Sequence, residues 1–312
     1  MNNPDPTIDV ITDVAAVASD PVPTRVRTAV LAAIRQRTAA LQPPSADAGP
    51  PEAAPFATQV AELDALLSGL TPAQWSLPVP AVQDSWDVSA VLAHVFSVDA
   101  LLAAELDLPL SPEAGTGTDI AARTESAQRA FAGRPAKDVH AAWRGQAIAL
   151  LNHVSARPEH LERRVNFAGL RLPVGAVLLD RAGETWIHSE DVRSVLARPS
   201  VPLRPDHREV LADGGAQLLP TRWPEMPIPA AGPVWLRLQG THVSDWLIDP
   251  AGPARRPQPD EPPVAATVTV DTLEFCYLLG GRRTPDTVEH EASGDALLAR
   301  ATLAAAAGMA RL

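Results

Sequence analysis

The segment GETWIHSEDVR at residues 183–193 places a glutamate, a histidine and an aspartate at spacings of four and three residues. On a helix, Glu184 and His188 lie one turn apart on the same face, so both side chains can reach one ion. Glutamate and histidine at this spacing also occur on solvated helix faces. The pair alone therefore indicates a metal site only if a third ligand comes from elsewhere in the chain.

A third ligand is needed because a catalytic zinc site takes three protein ligands and keeps one position open. His94 is the best choice for it. It lies in VLAHVFSVD, among apolar residues of a predicted helix; a core histidine with no metal is the alternative. Two imidazoles and a carboxylate suit zinc and also non-haem Fe(II). The other histidines fit less well because they fall on polar helix faces, in a loop, or in the linker and C-terminal part: His140, His153, His160, His207, His242 and His290.

Asp191 follows one turn after His188, where its carboxylate could orient the imidazole from behind. The alternative is a surface acid that pairs with Arg193 or Arg198.

The composition describes a globular chain with enough residues for two domains. It has 312 residues, of which 46% are hydrophobic and 20% charged,. The net charge of −11 argues against a nucleic-acid partner, because a phosphate-binding surface needs clustered lysine and arginine,. Adjacent arginines occur at 163–164, 255–256 and 282–283, and these pairs are isolated from one another in the sequence.

The sequence gives no indication of a transmembrane helix or a signal peptide. No run approaches 18 uninterrupted apolar residues, and the start MNNPDPTIDV lacks the basic and apolar regions of a signal peptide,. Cys276 is the single cysteine, so no internal disulfide can form,. We expect a cytoplasmic protein with no membrane partner, a core position for Cys276, and any sulfur chemistry to use the thiol of a small molecule.

The first two-thirds of the chain predict helices. Residues 1–54 form a proline-rich arm with one amphipathic helix at 24–41 and a flexible connector at 42–55,. Helical periodicity and end signals, including Ser85 as an N-cap, then predict five helices and one hairpin: 56–70, 85–106, 119–133, 136–156 and 174–197, with the hairpin at 163–173,. The domain at 55–200 is therefore all-α, most simply a four-helix bundle with one extra connection.

The pattern changes after about residue 200. Alternating apolar and polar residues predict half-buried strands, and two short apolar stretches predict helices. The strands are expected at 234–240, 242–250, 264–271 and 287–292, and the helices at 272–280 and 294–308. The fold class is thus a mainly α N-terminal bundle followed by a smaller α+β domain at 201–312.

Taken together, these motifs resemble the mycothiol-dependent maleylpyruvate isomerase family. GLTPAQWSLPVP…SWDVSAVLAHVFSVD at 69–99 resembles the first half of its DinB-like bundle, in which a Trp-x-Val-x₅-His helix supplies the first zinc ligand. GETWIHSEDVRSVLARP at 183–199 resembles its Glu-x₃-His-x₂-Asp helix, and 268–303 is similar to its sterol-carrier-like C-terminal module. The resemblance covers about 55–312 in the same order; the arm is additional.

The resemblance implies a zinc ion held by His94, Glu184 and His188, with Asp191 as support behind His188. It also implies mycothiol as cofactor, whose thiol binds at the open metal position and is deprotonated there. The thiolate attacks a small electrophile and is either expelled after bond rotation, as in an isomerase, or retained, as in an S-transferase.

The resemblance also places the GGRR turn of the C-terminal module facing the metal. Arg282 is then the first choice for a catalytic contact with an anionic substrate, and Arg283 the second; a solvated turn arginine is the alternative. Trp86 and Trp186 flank the ligands in sequence and are expected to be packing residues.

Two other functions stay open at this point. Related bundles hold iron on three histidines, whereas this chain has Glu184 and lacks the large C-terminal oxygenase partner of those enzymes. A non-catalytic binding or stress protein that kept the metal is the second alternative. The sequence sets neither the electrophile nor the oligomeric state.

Overall fold

The computed structural model describes residues 49–82, 86–222, 232–249 and 252–311. The predicted helix at 24–41 lies outside these residues. The described residues belong to one compact unit, residues 43–312.

The N-terminal part is helical, as predicted. Its elements are α1 (Ala54–Ser68), α2 (Pro72–Trp75), α3 (Val88–Glu105), α4 (Ile120–Phe131), α5 (Ala136–Ala156) and α6 (Val174–Val195), with a hairpin of β1 (Arg164–Phe167) and β2 (Leu170–Pro173) before α6. The four long helices α1, α3, α5 and α6 pack around one apolar core, while α4 lies against α3. The predicted four-helix bundle with an extra connection is therefore confirmed.

Two helix starts differ from the predictions. Helix α3 has Asp87 as its N-cap, whose Oδ1 accepts a hydrogen bond of 2.8 Å from the Ala90 N–H, so the prediction of Ser85 as the cap is wrong. A carboxylate at the cap satisfies a free N–H and also complements the helix dipole. Helix α1 begins at Ala54 after a 3₁₀ turn at Pro51–Ala53, and Ala53 is buried. The last residues of the predicted connector therefore belong to the helical part.

Helix α3 is long and apolar because it is the central helix of the bundle. It is the one helix in the described ranges with the length and composition to cross a membrane, but 72% of its 18-residue window is buried inside the protein. A helix buried on nearly all sides reads as apolar throughout.

The C-terminal part is α+β, again as predicted. Its elements are α7 (Pro205–Leu218), β3 (Val234–Gln239), β4 (Val243–Ile248), β5 (Ala266–Asp271), α8 (Thr272–Leu279), β6 (His290–Gly294) and α9 (Ala296–Gly308). The sheet order is β4-β3-β5-β6, with β3 and β5 parallel and the other two pairs antiparallel. Helices α8 and α9 cover the apolar face of the sheet. Helix α7 was not predicted.

Helix α6 contributes to both parts. Its residues Val177, Leu178 and Ala182 belong to the bundle core, whereas Trp186 and Ile187 belong to the core around the sheet. Close approach of α8 to α6 depends on Gly280, because a Cβ there would lie 2.8 Å from Ile187 Cγ1. The domain boundaries expected at 54 and 200 stay predictions.

Candidate metal centre

The structure brings the three predicted ligands together between α3 and α6. His94 Nε2 lies 3.0 Å from Glu184 Oε1, and His188 Nε2 lies 3.0 Å from the same oxygen. One potential ligand atom from each of the three side chains lies within 4.8 Å of the other two. Within the described ranges, this is the one group of three or more such side chains arranged closely enough to share an ion.

The imidazole of His94 is held by two hydroxyl groups. Its Nδ1 lies 2.9 Å from Thr124 Oγ1 on α4, and Thr124 Oγ1 lies 3.2 Å from Ser97 Oγ. The Ser97 hydroxyl donates to the His94 carbonyl at 2.8 Å. If every contact is a hydrogen bond, Thr124 must donate to Ser97 and accept from the Nδ1–H of His94. This assignment leaves the lone pair of His94 on Nε2, which faces Glu184.

The imidazole of His188 is held by a carboxylate. Its Nδ1 donates to Asp191 Oδ2 at 3.0 Å, one turn further along α6. Arg282 donates from Nε to Asp191 Oδ1 at 2.7 Å and from Nη2 to Oδ2, and its Nη1 donates to the Gly280 carbonyl at 2.7 Å. Asp191 is buried, so the alternative of a surface acid paired with Arg193 or Arg198 is wrong.

Burial and neighbouring charges shift the pKa values of the two histidines in opposite directions. Burial lowers the pKa of His94 below its usual value. Burial acts in the same direction on His188, but hydrogen bonds to Asp191 and Glu184 outweigh it and raise its pKa to about 9. For Glu184, burial opposes ionisation, yet the hydrogen bond and charge of protonated His188, together with the nearby His94 and Arg181, hold its pKa well below the usual range. The position between these groups therefore attracts positive charge.

The donor set fits a divalent cation. With both Nδ1–H groups engaged elsewhere, two imidazole lone pairs and one carboxylate oxygen converge on one point. Three acceptors so close repel each other unless a proton or a metal ion lies between them. Outward Nδ1–H bonds to a hydroxyl and a carboxylate are also typical of metal-bound histidines. The arrangement can therefore hold a metal ion, with a proton on His188 as its competitor.

A buried ion pair braces the two helices that carry these side chains. Arg181 Nε on α6 donates to Asp99 Oδ1 on α3 at 2.8 Å, and both side chains are at most 2% exposed. Arg181 lies one turn before Glu184, and its charge contributes to the low pKa of that carboxylate. This pair fixes α3 against α6 beside the centre.

Two cavities meet the centre from different sides. The larger has a volume of about 1070 Å³ and includes His94, Thr124 and Trp86 in its lining. The smaller has a volume of about 250 Å³ and includes Glu184. Ala310 lines both.

The remaining predicted residues are placed as follows. Arg282 reaches the centre through Asp191, while Arg283 pairs with Glu274 at 2.8 Å and stacks over Tyr277. Trp186 is buried and packs as expected, but Trp86 is half-buried, with its ring centroid 5.4 Å from that of His94. Cys276 is buried, in agreement with its expected core position.

The other histidines lie away from the three candidate ligands. His153 was expected on a polar face, but it is buried, and its Nε2 lies 2.9 Å from His160 Nδ1. His207 was assigned to a linker or the C-terminal module and lies on α7, where it is buried.

Sequence reasoning missed Thr124, Ser97, Asp99 and Arg181. Ser97 follows His94 by three residues and Arg181 precedes Glu184 by three, so helical spacing places both near the ligands,. Thr124 has no such relation, since it comes from a separate helix.

Comparisons with known proteins give one family match, to part of the chain, and two similar crystal structures. Residues 56–193 match the model of the mycothiol maleylpyruvate isomerase N-terminal domain. No curated protein matches the chain. Two crystal structures are similar to it, one of the mycothiol-dependent maleylpyruvate isomerase and one of a histidine-to-alanine mutant of that enzyme. Each is 17% identical, has a TM-score of 0.47, and aligns over 77% of this chain and 91% of the other. The family match contains the three candidate ligands, His94, Glu184 and His188.

Proposed function

We propose that this chain is a metal-dependent enzyme that uses mycothiol to isomerise, or to transfer sulfur to, a small electrophilic substrate. The observation that carries the proposal is the convergence of His94 Nε2, His188 Nε2 and Glu184 Oε1 on one point, with both histidine Nδ1 atoms bonded elsewhere. The similarity of residues 56–193 to the mycothiol maleylpyruvate isomerase N-terminal domain supports mycothiol as the thiol.

In this proposal His94, Glu184 and His188 hold one zinc ion. Two neutral imidazoles and a carboxylate are a common ligand set of catalytic zinc, and three protein ligands leave a position open. When bound there, a divalent cation would supply the positive charge that makes a thiol more acidic and therefore more nucleophilic at neutral pH.

The surrounding residues keep the ligands in the form that binds a cation. Thr124 and Asp191 accept the Nδ1 protons of the two histidines and so direct both Nε2 lone pairs inward. Arg282 neutralises Asp191, which allows a buried carboxylate to stay ionised behind His188,. Arg282 therefore contacts the centre through Asp191. A direct contact of Arg282 with an anionic substrate stays a hypothesis.

The larger cavity is proposed to hold the body of mycothiol, which is a sugar-based thiol rich in hydroxyl groups. Its lining offers hydrogen-bonding side chains from several elements: Glu105, Asp119, Glu125, Gln128 and Asn166. These groups suit a polyhydroxylated ligand, and the cavity reaches His94. We also place the reaction in a reducing cytoplasm, where a free thiol persists.

Metal content, measured by elemental mass spectrometry, tests the proposal. We expect about one zinc per chain in the parent protein and a large loss in His94→Ala and His188→Ala, because two protein ligands are too few for a stable site. His242→Ala is the matched control, since its side chain is exposed on the loop after β3 and should leave the zinc in place. Circular dichroism of each variant should show the parent's helix content.

The outcomes separate the alternatives. Zinc in the parent, its loss in both variants, and thiol-dependent consumption of an electrophile would support the proposal. Iron in place of zinc would favour an iron-dependent enzyme of the same bundle type. A parent protein that stays metal-free after zinc is supplied would contradict the proposal and favour a binding protein.

A further inference from the structure

The smaller cavity, here called the α6–α7 cavity, lies between α6, α7, α8 and the C-terminal turn. Its wall is mainly apolar or made of glycine backbone, with residues such as Ala176, Leu179, Leu211 and Leu279. Gln217 and Ala310 in its lining are exposed, so the cavity opens to solvent. It is a pocket with an entrance rather than a packing defect.

This cavity also borders the candidate metal centre. Glu184 lines it, and the Glu184 side chain is 30% exposed although His94 and His188 beside it are 13% and 6% exposed. A ligand in the cavity would therefore meet the centre from the side of the carboxylate. The larger, polar cavity meets the same centre from the side of His94.

The side chains that line the α6–α7 cavity offer no positive charge to an anion. Asp180 and Glu184 are its ionisable lining residues besides the buried thiol of Cys276, and no lysine, arginine or histidine occurs among the described residues of the wall. Asp180 lies one turn before Glu184 on α6, so both carboxyl groups face the same side of the helix. Along this wall, a carboxylate group of a ligand would meet the like charge of Asp180 without a cationic side chain to pair with,.

The volume sets the size of the occupant. About 250 Å³ exceeds the roughly 150 Å³ of an apolar cavity known to hold benzene,. It is below the roughly 300–1,000 Å³ of pockets for drug-sized ligands. A single ring or a short branched chain therefore fits, whereas a drug-sized ligand does not.

From these observations we infer that the α6–α7 cavity is the substrate pocket and that it receives an uncharged, apolar group of the electrophile, about the size of one ring. The inference rests on the proposed function for the chemistry at the centre. The α6–α7 cavity differs from a pocket for a small dicarboxylate, because such a pocket would present cationic side chains to both ends of its ligand. The substrate class is thus an electrophile with an apolar substituent.

Binding of fluorobenzene, followed by fluorine NMR, tests the pocket, with 4-fluorobenzoate as its charged counterpart. We expect saturable binding of fluorobenzene and none of 4-fluorobenzoate at the same concentrations. Ala176→Leu fills the cavity from α6 and should weaken fluorobenzene binding about tenfold or more,. Ala141→Leu makes the same change at an exposed position of α5 and should leave binding unchanged.

The link to the centre is tested on protein loaded with Co²⁺, with the zinc-loaded protein as the diamagnetic control. Fluorine relaxation of bound fluorobenzene should be faster with Co²⁺, because the cavity shares Glu184 with the centre, and Ala176→Leu should abolish the difference. Equal relaxation in both forms would overturn the inference. So would binding that is unaffected by Ala176→Leu, or equal binding of the benzoate.

Failure of the proposed function gives a different result. A protein that takes up neither Co²⁺ nor zinc, yet binds fluorobenzene in a way that depends on Ala176, has the apolar pocket but not the metal chemistry. That result would overturn the assignment of the pocket to a substrate along with the proposed function.

Discussion

His94 and His188 present the same nitrogen to the same carboxylate oxygen at the same distance of 3.0 Å, but the protein supports them in different ways. Behind His94 stand the neutral hydroxyls of Thr124 and Ser97, both from the helical part. Behind His188 stands the carboxylate of Asp191, paired with Arg282 from the C-terminal part.

The difference explains the opposite shifts of the two pKa values. Hydroxyl partners do not compensate for burial, so the pKa of His94 falls, whereas two carboxylates make His188 more basic. A more basic imidazole is also a stronger donor to a cation. The proposed site thus combines one neutral, rigidly held ligand with one that an ion pair makes electron-rich.

The largest expected effect comes from breaking the buried ion pair between Arg181 and Asp99, which joins the two helices that carry the histidines. Asp99→Ala removes the short ion pair of the buried Arg181, which then keeps only the more distant Asp180 at 3.9 Å, and should lower the free energy of unfolding by about 3–5 kcal/mol,. Urea denaturation measures this. Asp138→Ala removes one partner of an exposed pair with Arg134 and should change stability by less than about 1 kcal/mol,. Similar values for the two variants would mean that the buried pair does not hold α3 against α6.

The next effect should come from the carboxylate behind His188. Asp191→Ala removes the acceptor of the Nδ1 proton, so the ring can take the other tautomer and turn its N–H toward the metal position. We expect metal affinity to fall about 100-fold, at the upper end of the range for such supporting residues. Competition with a chelating dye measures it. Asp191→Asn keeps an acceptor oxygen at the same position and should lose less; an equal loss would show that charge matters more than orientation.

The smallest effect is expected on the side of His94. Thr124→Val removes a neutral acceptor and should lower metal affinity about tenfold, because hydrogen bonds to neutral groups are roughly half as strong as those to carboxylates. The same competition experiment measures it. Thr302→Val makes the same substitution at a buried threonine of α9 and should leave affinity unchanged. A loss larger than that of Asp191→Ala would reverse the comparison between the two histidines.

Much of the helical part could be predicted because its helices are long and strongly periodic. Helix α7 was missed because the pattern of PDHREVLADGGAQL is weak, with two glycines near its C-terminal end. Those glycines are explained only in three dimensions. A Cβ on Gly214 would lie 2.8 Å from Leu179 of α6, and one on Gly215 would lie 2.3 Å from Leu279 of α8.

The candidate ligands were predictable because two of them share one helix at a spacing of four. The third, His94, was chosen for its place among apolar residues of a predicted helix, and the family resemblance supported that choice. Their supports were only partly predictable. Asp191 follows the same helical spacing, but Thr124 reaches His94 from α4, 30 residues away. Arg282 was expected at a substrate, and its bidentate contact with Asp191 depends on how the C-terminal part packs on α6, which local patterns do not report.

Helix α6 places adjacent residues in different surroundings: Trp186 and Ile187 pack with the sheet, and His188 faces the centre. Lifting the C-terminal part away would expose the indole of Trp186, and this alone would cost about 4–6 kcal/mol from the area involved. That is comparable to the whole stability of many domains. We therefore expect the bundle and the sheet to melt together in a single cooperative step, in which the fluorescence of Trp186 changes and the proposed metal would be released.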